Sequence, residues 1–489
     1  MKRLYRFLSI AALTVAGALA CTELNKIPGQ AGNGTVTLTT TISLNGSPDT
    51  RALDAAGHKT FIKNDQIAII YKNTSGKTIK VVSTIQDTDI SSDGKHARIT
   101  VTLTNPKPGG DLRYIYPAAM AKATIAEGAD ITDDNTVDFA ALNTQDGTLA
   151  TIASKYDLTT FDGHFTSDGQ LPVSASLTNR LAICEFTLRD GSTSFLYNAK
   201  RLFVVSGNDT YTIRCSTNDC IYVAMKPISN ATVHIGVIDD NYADSFAQTV
   251  TNKTLEAGNL YPVTVSLQKM RSIPLTFEAI EDGYFSFMNN SEASVKYSKN
   301  GGSWNSLPTS SIELKAGETV SFRGANGKMY PSKFDINVVC YIYGNIMSLV
   351  CSDTNYSFSE AYELTADNTF RSLFEDQTKL RNHPVKSLVL PALTLKNNCY
   401  ESMFYGCTGL TRAPILPAES LAVQCYYTMF RGCSNLNSVI CLATDRDIYA
   451  YCYEWLEGVS ATGTFTKATG ATWNSGNDGI PSGWTSEDF

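Results

Sequence analysis

A phrase of twelve residues occurs twice near the C-terminus of this 489-residue chain. Residues 399–410 read CYESMFYGCTGL and residues 425–436 read CYYTMFRGCSNL, so that equivalent positions lie 26 residues apart. Weaker copies begin at Thr369 and Cys452. Periods of roughly 20 to 50 residues are typical of stacked units, because a single unit cannot bury its apolar face without a neighbour. The sequence therefore predicts a C-terminal stack of short units.

Strand-like pieces lie between the copies, so each unit is expected to consist of one short helical turn and one short strand. Free cysteine packs as a small apolar side chain, which favours buried thiols in the stack over the alternative, a disulfide between Cys399 and Cys407. The closing segment from Gly463 to Trp484 is expected to cap the last unit. The motif positions predicted to form the core of the stack are Cys399, Met403, Phe404, Cys407, Leu410, Cys425, Met429, Phe430, Cys433 and Leu436.

Alternating apolar and polar residues dominate the first half of the chain. Val36, Leu38 and Ile42, for example, fall on one face of an extended segment. Short segments of this kind, separated by turn residues and without a long amphipathic helix, predict β-sandwiches. Because the region is about twice as long as one sandwich needs, we expect two in tandem, at residues 34–155 and 156–270.

Residues 271–360 continue the pattern of strands and turns and are expected to form a small third β unit. The pair Asn300-Gly301 between two β-rich runs predicts a type I′ hairpin turn, which requires positive φ at both residues. The aromatic residues of this unit either fill a small core, which is the favoured interpretation, or form a ligand platform; they are Tyr284, Phe285, Phe287, Tyr297 and Trp304. Residues 361–489 then make up the repeat region and its cap.

The first 20 residues predict an export signal rather than part of the fold. Lys2, Arg3 and Arg6 precede the apolar run FLSIAALTVAGALA, which is too short to span a bilayer. The run ends in ALAC, which resembles the lipobox of bacterial lipoproteins, and this resemblance implies that Cys21 is lipidated after removal of residues 1–20. Residues 21–33 are then a tether. An ordinary signal peptide followed by an incidental cysteine is the alternative.

Composition and motifs argue against several classes of function. The chain has 40 Lys and Arg residues against 47 Asp and Glu residues, and its scattered basic residues do not form the patch that nucleic acid requires. The five histidines are dispersed, and the sequence contains no zinc-binding spacing, nucleophile elbow or phosphate-binding loop. We therefore expect no nucleic-acid partner, no metal, no cofactor and no enzymatic activity.

Segments at both ends of the first half resemble the opening and closing segments of the fimbrillin family. They read TRA at residues 50–52, FIKNDQIA at residues 61–68, and LEAGNLYPVTV at residues 255–265. The family consists of lipoprotein precursors with two transthyretin-like sandwich domains that build surface pili. The resemblance implies that an arginine-specific protease removes the first strand and that a neighbouring subunit fills the groove with its own strand. The candidate cleavage site here lies between Arg51 and Ala52.

The residues around Arg51 suit this scheme. An alternating strand at residues 34–44 precedes it, and the intervening link, NGSPDTR, is polar and rich in turn residues, as an exposed cleavage site should be. Cleavage would also separate the protein from Cys21. The alternative is that Arg51 is a solvated loop residue and that the first strand stays in place.

The repeated phrase resembles the BspA-like leucine-rich repeat, in which MFxGCxxL marks each unit. This resemblance implies a solenoid and says little about its ligand. The crowded tyrosines of the region suit an interface with protein or carbohydrate. The predicted fold class is therefore mainly β, with two tandem transthyretin-like β-sandwich domains, a small third β unit and a short C-terminal leucine-rich-repeat solenoid.

The leading functional hypothesis is a cell-surface fimbrillin-like lipoprotein that acts as an adhesin, as a tip or accessory pilus subunit assembled by strand exchange. The alternative is a stand-alone surface lipoprotein that binds glycan or host protein without polymerising. A surface hydrolase is a third hypothesis, for which the sequence offers no catalytic constellation. The expected partners are the outer membrane, other pilus subunits, and a host protein or glycan. The expected location is the cell outer membrane, or the fimbrium after cleavage at Arg51.

Overall fold

The computed structural model describes residues 34–44, 60–191, 194–196, 198–215, 220–239, 244–288, 294–324, 329–351, 358–444 and 450–489. These residues are mainly β, and their helices are short turns. The predicted signal peptide and tether, with Cys21, and the predicted cleavage site at Arg51 and Ala52 lie outside the described residues. No helix within the described ranges is long and apolar enough to cross a membrane.

Strands are numbered in chain order through the described ranges. They are β1 Thr35–Leu44, β2 Gln66–Lys72, β3 Thr78–Thr84, β4 His96–Thr104, β5 Asp111–Tyr116, β6 Thr144–Gln145, β7 Thr159–His164, β8 Ser174–Asn179, β9 Ala182–Asp190, β10 Ser194–Phe195, β11 Ala199–Ser206, β12 Asp209–Arg214, β13 Ile221–Met225, β14 Ile228–Asp239, β15 Ser245–Leu255, β16 Leu260–Lys269, β17 Leu275–Ala279, β18 Gly283–Met288, β19 Lys296–Lys299, β20 Asn305–Ser306, β21 Ile312–Leu314, β22 Thr319–Arg323, β23 Lys333–Asn337, β24 Cys340–Asn345, β25 Leu380–Asn382, β26 Leu388–Val389, β27 Ser438–Cys441, β28 Gly463–Lys467 and β29 Trp484–Asp488.

The helices connect these strands. The α-helices are α1 Asp133–Thr136 and α2 Leu149–Thr151, and a π-helical turn follows at Ile152–Tyr156. The 3-10 turns span Asp87–Asp89, Ala118–Met120, Phe139–Asn143, Met270–Ser272, Ile346–Leu349 and Phe358–Glu360.

The first sheet has the strand order β3-β2-β5-β7-β8-β1-β4. Its two ends meet, since the Ser83 hydroxyl on β3 donates to the Thr100 carbonyl on β4 at 3.1 Å. The sheet includes β7 and β8 and so extends to Asn179, beyond residue 155, where the sequence analysis placed a domain boundary. Pairing between strands that are far apart in the chain leaves no local sequence signal, and the polar stretch before residue 170 therefore did not mark the end of this sheet.

The second sheet has the order β10-β9-β16-β15-β14-β11-β12-β6, and β13 also pairs with β9. It shares an apolar core with the first sheet, because Ala68, Ile70 and Ile115 pack among its buried side chains. The alternate residues of β2, such as Ile67 and Ile69, belong to the core of the first sheet instead. A strand buried on both faces is continuously apolar, which explains the unbroken run IAII in β2.

The third unit contains a sheet of order β20-β19-β22-β17-β24-β25, with β26 also paired to β24, and a small sheet of order β21-β18-β23. The predicted hairpin turn is confirmed, since Asn300 and Gly301 have φ of 51° and 70° between β19 and β20. The predicted aromatic core is confirmed for Phe285, which is buried, and for Phe287, which packs against the core. Tyr284 is instead exposed.

The C-terminal region is a stack of units in which backbone amides of one unit donate to backbone carbonyls of the next. The Phe374 amide donates to the Met403 carbonyl at 3.0 Å, and the Phe404 amide donates to the Met429 carbonyl at 2.9 Å. The parallel strands β27, β28 and β29 close the last units. One continuous apolar core runs from Leu275 in the third unit to Trp484 in the last strand, so the third unit covers the first end of the stack.

Candidate strand-exchange site and repeat stack

The strand β1 lies inside the first sheet, between β8 and β4. It pairs antiparallel with β4 over nine residue pairs, from Thr35–Thr104 to Ser43–His96. On its other side it pairs in parallel with β8 over four residue pairs, from Thr41 to Leu44. Both edges of β1 are therefore occupied, and its absence would leave a groove between β8 and β4 with unpaired backbone groups on each side.

The side chains of β1 alternate between the core and solvent. Leu38, Thr40 and Ile42 are buried, whereas Thr37, Thr39 and Thr41 are exposed. Leu38 and Ile42 belong to the core of the first sheet. Complete burial of such a side chain contributes about 1.5–3 kcal/mol, so removal of β1 from the sheet is unfavourable. A strand that replaces β1 must carry apolar side chains at the same alternate positions.

The outer face of β1 is tied to β4 by paired threonines. The hydroxyls of Thr37 and Thr102 lie 3.0 Å apart, and so do those of Thr39 and Thr100. Each cross-strand pair of this type contributes about 0.2–1 kcal/mol, less than one buried aliphatic side chain. Among the side chains of the strand, the inward residues therefore contribute most to its binding.

The motif positions of the repeats are all buried in the stack. Their side chains are at most 1% exposed: Cys399, Met403, Phe404, Cys407, Leu410, Cys425, Met429, Phe430, Cys433 and Leu436. Aromatic rings stack between successive units, with 5.4 Å between the ring centroids of Phe374 and Phe404 and 5.5 Å between those of Phe404 and Phe430. The motif thus supplies a continuous aromatic column through the stack.

Two cysteines of the stack, Cys407 and Cys433, are free thiols that bond to the backbone of the preceding unit. The Cys407 thiol donates to the Phe374 carbonyl at 3.0 Å, and the Cys433 thiol donates to the Phe404 carbonyl at 3.0 Å. Cys399 and Cys407 are free thiols and form no disulfide. Burial raises the pKa of Cys399 and of Cys433 to about 12, which keeps these thiols protonated and unreactive.

The last strand is fixed to the second sheet by an ion cluster that sequence reasoning missed. Glu487 on β29 contacts Arg201 on β11 at 2.7 Å and Arg214 on β12 at 2.6 Å. Burial alone would raise the pKa of Glu487, but the two arginines and the Thr466 hydroxyl outweigh it, and the pKa is lowered. The C-terminal strand is therefore held in place by charge as well as by its pairing with β28.

A second cluster that the sequence did not indicate joins the second sheet, the third unit and the stack. His383 is buried, and its Nδ1 accepts hydrogen bonds from the amides of Val385 and Lys386 at 3.2 and 3.0 Å. Its ring contacts those of His234 and Tyr341 edge-on, at centroid distances of 5.4 and 5.1 Å. Burial, followed by the charge of Lys386, lowers the pKa of His383 to about 2. His383 is therefore neutral in the folded protein.

The positive charge of Lys386, which lies beside His383, is paired with a carboxylate. Its Nζ lies 2.9 Å from Glu278 Oε2 on β17 and 4.4 Å from the centre of the Tyr343 ring. The Tyr343 hydroxyl donates to the same carboxylate at 3.0 Å. The contact between the third unit and the stack thus includes, beside its apolar core, an ion pair supported by an aromatic ring.

In comparisons with known proteins, no family model and no curated protein matches the chain. Several solved structures that match are described as fimbrial or putative cell adhesion proteins. A fimbrial protein from Bacteroides ovatus is 15% identical with a TM-score of 0.27, and the match covers 47% of this chain and 49% of that one. A putative cell adhesion protein from Bacteroides uniformis is 16% identical with a TM-score of 0.28, over 48% of this chain and 97% of that one. A tip fimbrial protein from Porphyromonas gingivalis is 12% identical with a TM-score of 0.26, over 48% and 95%.

Proposed function

We propose that this protein is a fimbrillin-like surface lipoprotein that acts as an adhesin and accepts a strand from another subunit in place of β1. Its two halves are then two transthyretin-like sandwiches and a third unit that carries a leucine-rich-repeat stack. The observation that carries the proposal is the position of β1 between β8 and β4. It is an alternating strand whose removal leaves two open edges, and it precedes the candidate cleavage site at Arg51.

The C-terminal strand is poorly suited to act as the donated strand. Its sequence, WTSED, lacks apolar residues at alternate positions after Trp484, and Glu487 is bound to Arg201 and Arg214. A donor needs a free strand with an alternating apolar face. We therefore propose that the subunit accepts a strand but does not donate its C-terminal one, which is the property of a tip or terminal subunit.

The proposed anchor is the lipid on Cys21, and the proposed location is the outer membrane before cleavage and the fimbrium after it. In this scheme the repeat stack is the part of the protein that projects away from the polymer. The proposed partners are other pilus subunits and a host protein or glycan.

The test is the mass and N-terminal sequence of the protein recovered from its native cell surface. A chain that begins at Ala52 supports removal of β1 and assembly. A surface population that consists entirely of chains beginning at lipidated Cys21 contradicts strand exchange and favours the stand-alone binding protein. An Arg51→Ala variant is the matched control, because it preserves export and lipidation but removes the arginine that the protease would recognise.

A further inference from the structure

A cavity of about 130 Å³ lies where the second sheet faces the repeat stack. One wall is formed by β11 and β14, and the opposite wall by three successive units of the stack, at residues 382–388, 410–415 and 438–440. A cavity of this size holds roughly nine water molecules. Its volume is therefore comparable with that of one monosaccharide. The cavity is therefore large enough for a small ligand and is more than a gap between packed side chains.

The stack presents three equivalent residues at this wall: Asn382, Arg412 and Ser438. The Arg412 amide donates to Asn382 Oδ1 at 2.9 Å. Arg412 also forms a parallel β-bridge with Ser438. The repeat architecture therefore aligns three polar positions along the cavity, one from each unit.

The positive charge of Arg412 has no counter-ion among the residues that the structure describes. Its guanidinium donates to the carbonyls of His383 and Pro384, at 2.7 Å for the shorter bond. Among the described residues no carboxylate lies within ion-pair distance of it, and burial lowers its pKa. A partly buried cation without a counter-ion is unfavourable, so an anion in the cavity would be stabilised there.

The other two cations of the cavity are already paired. Arg201 contacts Glu487 at 2.7 Å, and Lys386 contacts Glu278 at 2.9 Å. Arg412 is therefore the cation that has no carboxylate partner among the described residues lining the cavity, and it matches a ligand with one negative charge.

Two hydroxyls are available beside this charge. Ser387 and Ser438 both line the cavity, and neither hydroxyl has a hydrogen-bond partner within the described part of the chain. The remaining wall is apolar and includes Phe203 and Pro414. A guanidinium, two free hydroxyls and an apolar wall together suit a ring that has C–H faces, several hydroxyls and a carboxylate.

We propose that this cavity binds an acidic monosaccharide unit of a glycan, with the sugar carboxylate on Arg412 and sugar hydroxyls on Ser387 and Ser438. The proposal deepens the adhesin function by naming a ligand class and its site, and it rests on that function only for the source of the glycan. Occupation of the site would also join the second sheet to the stack. It does not require cleavage at Arg51, so failure of either proposal leaves the other standing.

The test is isothermal titration calorimetry of the full chain with glucuronate. Glucose and inorganic phosphate are the comparison probes. We expect saturable binding of glucuronate and binding of glucose at least about tenfold weaker, because a charge-assisted hydrogen bond is lost with the carboxylate. Arg412→Gln is expected to weaken glucuronate binding by about tenfold or more. Equal binding of glucose and glucuronate, or phosphate binding as tight as that of glucuronate, overturns the assignment.

Two further variants separate binding from folding. Arg381→Gln is the matched control, because Arg381 also donates to backbone carbonyls of the stack but does not line the cavity. It is expected to bind glucuronate as the wild type does. Ser438→Val keeps Arg412 and suits a strand position, and it is expected to weaken binding several-fold without a change in thermal unfolding. Wild-type affinity in both Arg412→Gln and Ser438→Val contradicts the proposal.

Discussion

The buried His383 makes the stability of the stack depend on pH, and His383→Asn is the variant that tests this. The pKa of His383 is about 2 in the folded protein, whereas an unperturbed histidine has a pKa near 6.5. Below pH 6.5 the histidine binds a proton in the unfolded chain but stays neutral in the folded chain. Folding stability therefore falls as the pH falls. The slope is half of about 1.4 kcal/mol per pH unit at pH 6.5, where the unfolded histidine is half protonated, and it approaches the full value at lower pH. The loss between pH 6.5 and 4.5 therefore amounts to about 2.3 kcal/mol.

The variant His383→Asn keeps the local hydrogen bonds but has no proton to bind. An asparagine side-chain oxygen accepts from amides two and three residues later, as His383 Nδ1 does from Val385 and Lys386. The assay is urea unfolding followed by tryptophan fluorescence at pH 6.5, 5.5 and 4.5. Trp455, Trp473 and Trp484, three of the four tryptophans, lie in the stack and cap and report on this region.

The expected result is that wild type loses about 2–3 kcal/mol more than His383→Asn between pH 6.5 and 4.5. All other titrating groups are common to both proteins, so their contribution cancels in the difference. Parallel profiles of unfolding free energy against pH for the two proteins would refute the reasoning. Such a result would mean that His383 binds a proton equally well in the folded and the unfolded state.

Two other substitutions probe the candidate site and the C-terminal clamp, both by urea unfolding. Ile42→Ala is expected to destabilise the first sheet by about 2–5 kcal/mol because Ile42 is fully buried. The control Thr39→Ala, on the exposed face, should lower the free energy of unfolding by less than about 1 kcal/mol. Similar losses for the two variants would contradict the inward orientation of Ile42. Glu487→Gln is expected to lower the free energy of unfolding by about 1–3 kcal/mol, because it leaves Arg201, whose side chain is 18% exposed, without its anion. An unchanged free energy of unfolding would show that pairing with β28 alone holds the last strand.

The elements with local signals were predictable from the sequence. The alternation of β1 appears directly in its sequence, and the Asn300-Gly301 pair defines the turn between β19 and β20. The fixed period of the repeats predicts that equivalent positions lie above one another, and the rings of Phe404 and Phe430 do so. In each case a short stretch of chain determines the conformation through its own periodicity or turn chemistry.

The contacts that depend on distant pairing were not predictable. The pairing of β8 with β1 extends the first sheet past residue 155, and nothing near Ser174 indicates this partner. Arg201 and Glu487 are ordinary surface types in the sequence and become an ion pair only because the last strand folds back onto the second sheet. His383 was one of five dispersed histidines, and its burial depends on three separate parts of the chain meeting around it.

The central claim is that a separate strand can occupy the place of β1, and a chain that begins at Ala52 tests it directly. This chain is mixed with a fluorescent peptide of residues 34–44, and binding is followed by anisotropy. Saturable one-to-one binding is predicted, with loss of binding when the peptide carries Leu38→Asp and Ile42→Asp, because both side chains must enter the core. A lack of binding by the wild-type peptide, or equal binding by both peptides, would contradict strand exchange.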